Sequence, residues 1–208
     1  MCCALLFALV HADVMAQSLG VSEPNVQVPK DSTRYLPNAL PDRIIASPAQ
    51  DASTGFAVNW RTNDKVRAPA LEIVRADDSP AIKLPRVLHA STTAYTLGGL
   101  STHTHRVDID GLQADTLYMF RVQGEGAWSG WRQLRTAAQA GKPLTLLYCG
   151  DTQNKNVSHV GRGVREAMRN APGALLALQA GDHQSEANID NEWGEMFEAL
   201  SDLPAVML

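Results

Sequence analysis

Two aspartates in the second half of the chain each follow a glycine at the end of an apolar segment. Asp151 follows the run LTLLYCG, and Asp182 follows ALLALQAG. Each run predicts a strand that is buried on both faces of a parallel sheet. Because the carboxyl ends of such strands meet at one edge of the sheet, we expect the two carboxylates to lie close together. Two neighbouring carboxylates stay ionised when a cation lies between them, so the pattern indicates a metal site.

Each aspartate taken alone has a simpler interpretation as a turn residue or helix cap, and only the repetition favours a site. The helical spacing of the apolar residues in VSHVGRGVREAMRN and DNEWGEMFEAL predicts a helix after each strand. Asp190 is expected to cap the second helix. A further strand begins at PAVML, so residues 144–208 are predicted to have the order β-α-β-α-β.

The preceding region, residues 43–136, has a different period. Short segments such as FAVNWRT alternate apolar and polar residues and are separated by Pro, Gly, Asp or Ser, which predicts about seven strands in a two-sheet sandwich. Within DGLQADTLYMFRV, the positions of Leu112, Thr116 and Tyr118 resemble the fibronectin type III signature and indicate a tyrosine corner. Residues 17–42, rich in Pro, Asn and Ser, are expected to form an extended lead-in segment.

Composition excludes some classes of function. The 208 residues are 45% hydrophobic and 19% charged, which is typical of a globular protein. A formal charge of −4 without a dense block of Lys and Arg argues against nucleic acid as a partner.

The N-terminus has the pattern of a secretory signal. A short apolar run is followed by VMA, which predicts a signal peptide over residues 1–16 with cleavage before Gln17; a buried N-terminal helix is the alternative. The run is too short to span a membrane, so a secreted or periplasmic protein is expected. After cleavage Cys149 is the one remaining thiol, which leaves no internal disulfide.

A sandwich followed by GDTQ, AGDH, DNEW and a strand entered through Pro resembles the purple acid phosphatase-like members of the calcineurin-like metallophosphoesterases. The resemblance implies that Asp151 binds a first metal ion and that Asp182 bridges two. Gln153 stands where the broader family has histidine and is a weaker ligand, and Ser185 stands where purple members have tyrosine. The implied cofactors are two ions of the Fe, Zn or Mn class. The implied reaction is hydrolysis of a phosphate ester by a metal-bound hydroxide.

The later family motif Gly-Asn-His is absent from the 208 residues. The resemblance therefore implies an N-terminal portion of a phosphoesterase, inactive alone, with the residues that contact substrate and complete catalysis unassigned. The alternative is a non-catalytic secreted binding module that recognises its partner through the β-sandwich. A third possibility, another α/β hydrolase or phosphotransferase that uses strand-end aspartates without two metals, leaves the sandwich unexplained.

Overall fold

A computed structural model of the chain describes residues 29, 32–79, 82, 84–97 and 99–207. The predicted signal peptide, residues 1–16, and the first part of the predicted lead-in lie outside the described residues. Within these ranges, antiparallel sheets make up most of the regular structure, and the few helices follow residue 155. No helix in the described part of the chain is long and apolar enough to cross a membrane.

The first part of the chain is the predicted β-sandwich, which the structure confirms. One sheet has the strand order β1-β2-β6-β5 and the other the order β4-β3-β7-β8. Large side chains of both sheets, among them Phe56, Trp60, Leu71 and Phe120, are at most 2% exposed in the core between them. The strands are β1 Asp42–Pro48, β2 Phe56–Asn63, β3 Ala70–Arg75, β4 Arg86–His89, β5 Ser91–Leu97, β6 Leu100–Ile109, β7 Leu117–Val122 and β8 Arg132–Arg135.

The sandwich has eight strands where the sequence pattern predicted about seven. The strand that sequence reasoning missed is β5, with the sequence STTAYTL. It pairs only with β6 at the margin of its sheet, and most of its side chains are exposed. An edge strand with solvent on both sides has no apolar alternation to reveal it.

Tyr118 makes the contact expected of a tyrosine corner. The backbone N–H of Gln113 donates a hydrogen bond of 2.9 Å to the hydroxyl oxygen of Tyr118, which lies near the start of β7. Thr116, two residues earlier, donates through its hydroxyl to the carbonyl of Ala114 at 2.9 Å. These bonds fix the turn that leads into β7.

The second part of the chain has three parallel strands in the order β11-β10-β9. Apolar side chains of both helices pack with Leu147 and Ala177 on one face of this sheet, whereas Leu176 packs against the sandwich from the other face. A single π-helical turn, Asn156–Val160, leads into the first helix. The elements are β9 Leu146–Cys149, α1 Gly161–Asn170, β10 Leu176–Gln179, α2 Asp190–Ala199 and β11 Val206–Met207.

The prediction that LTLLYC is buried on both faces is wrong. Leu146 is 43% exposed and Tyr148 is 71% exposed, whereas Leu147 on the opposite face packs under the helices. The register pairs Leu146 with Leu176 on β10, which does reach the sandwich core. The strand β9 lies at the margin of the sheet and extends beyond the part that the sandwich covers.

A buried arginine connects the two parts. Arg61 on β2 has only 3% of its side chain exposed, yet its guanidinium bonds to Asp42 on β1 and to Asp190 on α2, with an Nη1–Oδ2 distance of 2.9 Å to Asp190. Its Nη2 also donates to the backbone carbonyl of Tyr35 at 2.7 Å. Burial opposes the charge of Arg61, but Asp42 and Asp190 together raise its pKa above the usual arginine value.

Asp190 does not cap α2 as predicted. No side-chain hydrogen bond caps the helix at Ile189, and Asp190 is the first helical residue. Its carboxylate instead accepts bonds from two arginines of the sandwich, with Arg43 Nη1 at 2.7 Å from one oxygen and Arg61 Nη1 at 2.9 Å from the other. Two full charges held at these distances attract the carboxylate more strongly than the backbone amides of a helix start do.

Arg61→Ala is expected to lower the free energy of unfolding by about 3–5 kcal/mol, because it leaves Asp190 and Asp42 partly buried with fewer partners. Arg106→Ala is the matched control, since Arg106 pairs with Asp108 on the exposed side of β6 and such pairs contribute about 0–1 kcal/mol. Urea unfolding followed by tryptophan fluorescence measures both values. Equal effects of the two substitutions would contradict the assigned role of Arg61.

A histidine, His105 on β6, is buried in the sandwich core. The ring nitrogens of His105 bond to the hydroxyls of Thr62 at 2.8 Å and Thr92 at 2.9 Å, and the ring packs 5.3 Å from Trp60. The residue has no exposed surface. Burial, with a smaller effect of His103, lowers the pKa of His105 to about 4.

The stability of the sandwich should therefore decrease between pH 6.5 and pH 4. In this range His105 takes up a proton in the unfolded chain but not in the folded one, which costs at most about 1.4 kcal/mol per pH unit. His105→Gln should flatten the dependence of the unfolding free energy on pH, whereas His89→Gln, at an exposed position of β4, should not. Parallel pH curves for wild type and His105→Gln would refute the assignment.

Candidate functional site

The loops that follow β9 and β10 are joined at the carboxyl edge of the parallel sheet. The backbone N–H of Asp151 donates to the carbonyl of Gly181 at 3.1 Å, and that of Thr152 donates to the carbonyl of Asp182 at 2.9 Å. These bonds continue the ladder that pairs Cys149 with Gln179. The backbones of Asp151 and Asp182 are therefore neighbours, and both side chains lie in exposed residues of the same edge.

Both aspartates have a backbone conformation that is unusual for their type. Asp151 has φ 56° and Asp182 has φ 50°, in the left-handed region that most side chains avoid. The two loops also approach closely, since a Cβ added to Gly150 would lie 3.2 Å from the Cβ of Ala180. Gly181 itself has φ 97°, which a residue with a side chain rarely adopts. Each Gly-Asp pair thus turns the chain sharply as it leaves its strand.

Polar atoms without partners lie under this edge. Thr152 and Gln179 are no more than 5% exposed, and the Oγ1 of Thr152 and both amide atoms of Gln179 have no hydrogen-bond partner. The same holds for the Oδ1 of Asn156 in the π-helical turn and the Oε1 of Glu192 in the first turn of α2. Buried polar groups are nearly always paired in folded proteins, so this region favours a polar ligand or bound water.

Sequence reasoning missed these four residues. Gln179 had a usable signal, because it is a polar residue inside the apolar run ALLALQA and directly precedes the Ala-Gly-Asp turn. Thr152 directly follows Asp151 in the chain, so its position next to a candidate ligand was the signal that could have identified it. Asn156 and Glu192 lie in elements that pack against each other, the π-helical turn and α2, and periodicity does not reveal this packing.

Gln153 and three further residues with reactive or metal-binding side chains lie in different settings. Gln153 is half-buried next to the joined loops. His183 places its ring 6.5 Å from Trp193, and its Nδ1 is buried without a partner. His159 is exposed at the end of the π-helical turn, where its Nδ1 bonds to the hydroxyl of Ser158 at 2.8 Å. Burial raises the pKa of the Cys149 thiol, which disfavours the reactive thiolate form.

Within the described part of the chain, no group of three or more His, Cys, Asp or Glu side chains is arranged to hold a metal ion. The candidate donors carried by the two joined loops are the carboxylates of Asp151 and Asp182 and the amide of Gln153. Two adjacent carboxylates are suitable ligands for one cation. They are too few to complete two coordination shells, since each ion needs about four to six ligands.

The tryptophans of GAWSGW do not form an open aromatic platform. The guanidinium of Arg121 lies 4.8 Å from the ring centre of Trp128 and 4.7 Å from that of Trp131. Arg121 also pairs with Glu72 at 2.7 Å. Each ring therefore already contacts a cation on the outer surface of β3 and β7.

Comparison with known proteins found a family model that matches the sandwich region. Residues 41–136 match the family model of the purple acid phosphatase N-terminal domain. No curated protein sequence matches the chain.

Among solved structures, PhoD has a TM-score of 0.53 at 14% identity, and the match covers 83% of this chain and 40% of that one. Astrotactin-2, a perforin-like membrane protein, has a TM-score of 0.36 at 18% identity, with coverage of 64% and 26%. The sensor domain of the anti-sigma factor RsgI4 from Pseudobacteroides cellulosolvens has a TM-score of 0.30 at 17% identity, with coverage of 46% and 93%. The chain spans less than half of PhoD, with which it shares a fold, and its sandwich is similar to the N-terminal domain of purple acid phosphatases.

Proposed function

We propose that this chain contributes the first part of a metal-dependent phosphoric ester hydrolase. The observation that carries the proposal is the pair of backbone bonds that join the Asp151 and Asp182 loops at one exposed edge. The match of residues 41–136 to a phosphatase N-terminal domain supports the reaction class, and the fold shared with PhoD supports the arrangement of the two parts. The proposal keeps the domain boundaries expected from the sequence, which are a lead-in to 42, a sandwich over 43–136 and a catalytic portion from 144.

In the proposed centre, Asp151 would hold the first ion and Asp182 would help to hold both, with Gln153 as an additional weak ligand. Two ions of the Fe, Zn or Mn class, when bound, supply the Lewis acidity for hydrolysis of a phosphate ester. The chain's own residues hold the carboxylates in place, because the loop bonds and the left-handed turns fix where each aspartate leaves the sheet. The ligands that complete both coordination shells come from outside the described residues.

The alternative, a binding module that uses the sandwich for recognition, lacks a comparable observation. Its best candidate surface, around Trp128 and Trp131, is already occupied by the Arg121 side chain. We therefore retain the hydrolase as the conclusion.

The chain should bind Mn²⁺ at the joined loops. Asp151→Asn and Asp182→Asn should each weaken binding by at least about tenfold, because even the loss of a residue outside the ligand shell costs roughly 10- to 100-fold. Asp64→Asn is the matched control, at an exposed position in the turn after β2. Titration monitored by the electron paramagnetic resonance of free Mn²⁺ measures the affinities. Equally strong Mn²⁺ binding by the wild type, the two site variants and the control variant would refute the site.

The 208-residue chain alone should not hydrolyse an aryl phosphate faster than a blank that contains the metal without protein. Two carboxylates and an amide do not complete a dinuclear centre, so the reacting phosphate lacks the required ions. Release of the aryl alcohol, followed by absorbance, measures the rate. Turnover that disappears in Asp182→Asn would contradict this expectation and show that the described residues suffice.

A further inference from the structure

A cleft separates the sandwich from the amino ends of the parallel strands. Its volume is about 520 Å³, which lies within the range of small-molecule sites. It is bounded by the turns that precede β10 and β11, so it lies at the opposite edge of the sheet from Asp151 and Asp182. Apolar side chains from both parts of the molecule form its walls, including Ile44, Leu134, Met168, Leu200 and Leu203.

Arg132, the first residue of β8, is the distinctive polar residue of this cleft. Its Nη1 donates to the carbonyl of Ser201 at 3.0 Å and to that of Ile44 at 3.3 Å, which connects the sandwich to the turn after α2. Within the described part of the chain, the hydrogen bonds of Arg132 all come from Nη1, and no carboxylate lies within ion-pair distance of its guanidinium. Burial lowers the pKa of this guanidinium, and the more distant charge of Asp202 offsets the effect only in part.

The other charged residues of the cleft have partners. Asp202 lies 3.6 Å from Arg165 on α1, and Arg135 bonds to Asp115 at 3.1 Å. Among these charged residues, Arg132 is therefore the partly desolvated cation that has no carboxylate within ion-pair distance. A guanidinium with two free N–H groups suits a planar carboxylate, which accepts two parallel hydrogen bonds.

We propose that this cleft binds a small amphipathic carboxylate, with its acidic head on Arg132 and its apolar tail against the walls formed by β1, α1 and α2. An anion at this position supplies the partner that Arg132 lacks among the described residues. The tail covers apolar surface that both parts of the molecule present to the cleft. The site is independent of the proposed metal centre, because the two occupy opposite edges of the sheet.

Octanoate and 1-octanol test the proposal, since the two probes share a tail and differ in the charge of the head. Isothermal titration calorimetry on the wild-type chain should give at least about tenfold tighter binding for octanoate, as expected for hydrogen bonds to a charged group. Arg132→Gln should reduce octanoate binding to the level of octanol and leave octanol binding unchanged. Arg135→Gln is the matched control in the same cleft and should keep the wild-type preference.

The location of the ligand has a separate readout. In protein labelled with ¹³C-methyl methionine, octanoate should shift the NMR resonance of Met168, which lines the cleft. The resonance of Met119, which does not line the cleft, should stay unchanged. This measurement and the comparison of octanoate with octanol need only the wild-type chain. Both therefore test the proposal even if the Arg132→Gln variant does not fold. Equal affinities for octanoate and octanol, no octanoate binding, or binding without a Met168 shift would each overturn the proposal.

Discussion

The arrangement of the two parts depends on one buried cation. Arg61 enters from the central region of a sandwich sheet and meets carboxylates from β1 and from α2, together with the carbonyl of Tyr35 in the lead-in segment. Removing a guanidinium from water costs several kcal/mol, and only the full set of partners offsets that cost. The interface between the sandwich and α2 therefore allows few alternative positions of the helix, because displacing α2 separates Asp190 from Arg61 and leaves both charges without this partner.

The lead-in segment adds to this interface through contacts with both ends of α2. Arg34 and the hydroxyl of Tyr35 bond to Glu198 near the end of the helix, at 2.5 and 2.6 Å. The amide of Asn191 donates to the carbonyls of Pro29 and Ser32 at the start of the helix. Both ends of α2 are thus attached to a segment that precedes the sandwich in sequence, so the lead-in is a structural part of the interface.

Periodicity revealed the features that depend on local sequence. The alternation in FAVNWRT and the apolar run ALLALQA correspond to β2 and β10, and the Gly-Asp turns were evident from residue type alone. It failed for β5, whose exposed side chains have no pattern, and for the outer face of β9, whose burial depends on how far the sandwich extends. It also failed for Asp190, because the arginines that bind its carboxylate lie far away in the chain.

The same long-range ion pairs bear on the candidate site. The loop from Asp182 to Asp190 is held at its first residue by the bond from Thr152 N–H to Asp182 O, and at its last by Arg43 and Arg61. A loop fixed at both ends loses little further conformational entropy when its carboxylate binds a ligand. The sandwich therefore helps to hold the loop that carries Asp182, which gives a physical reason for the two parts to occur in one chain. The first aspartate needs less support, since Asp151 directly follows β9 and shares the hydrogen bonds of the sheet.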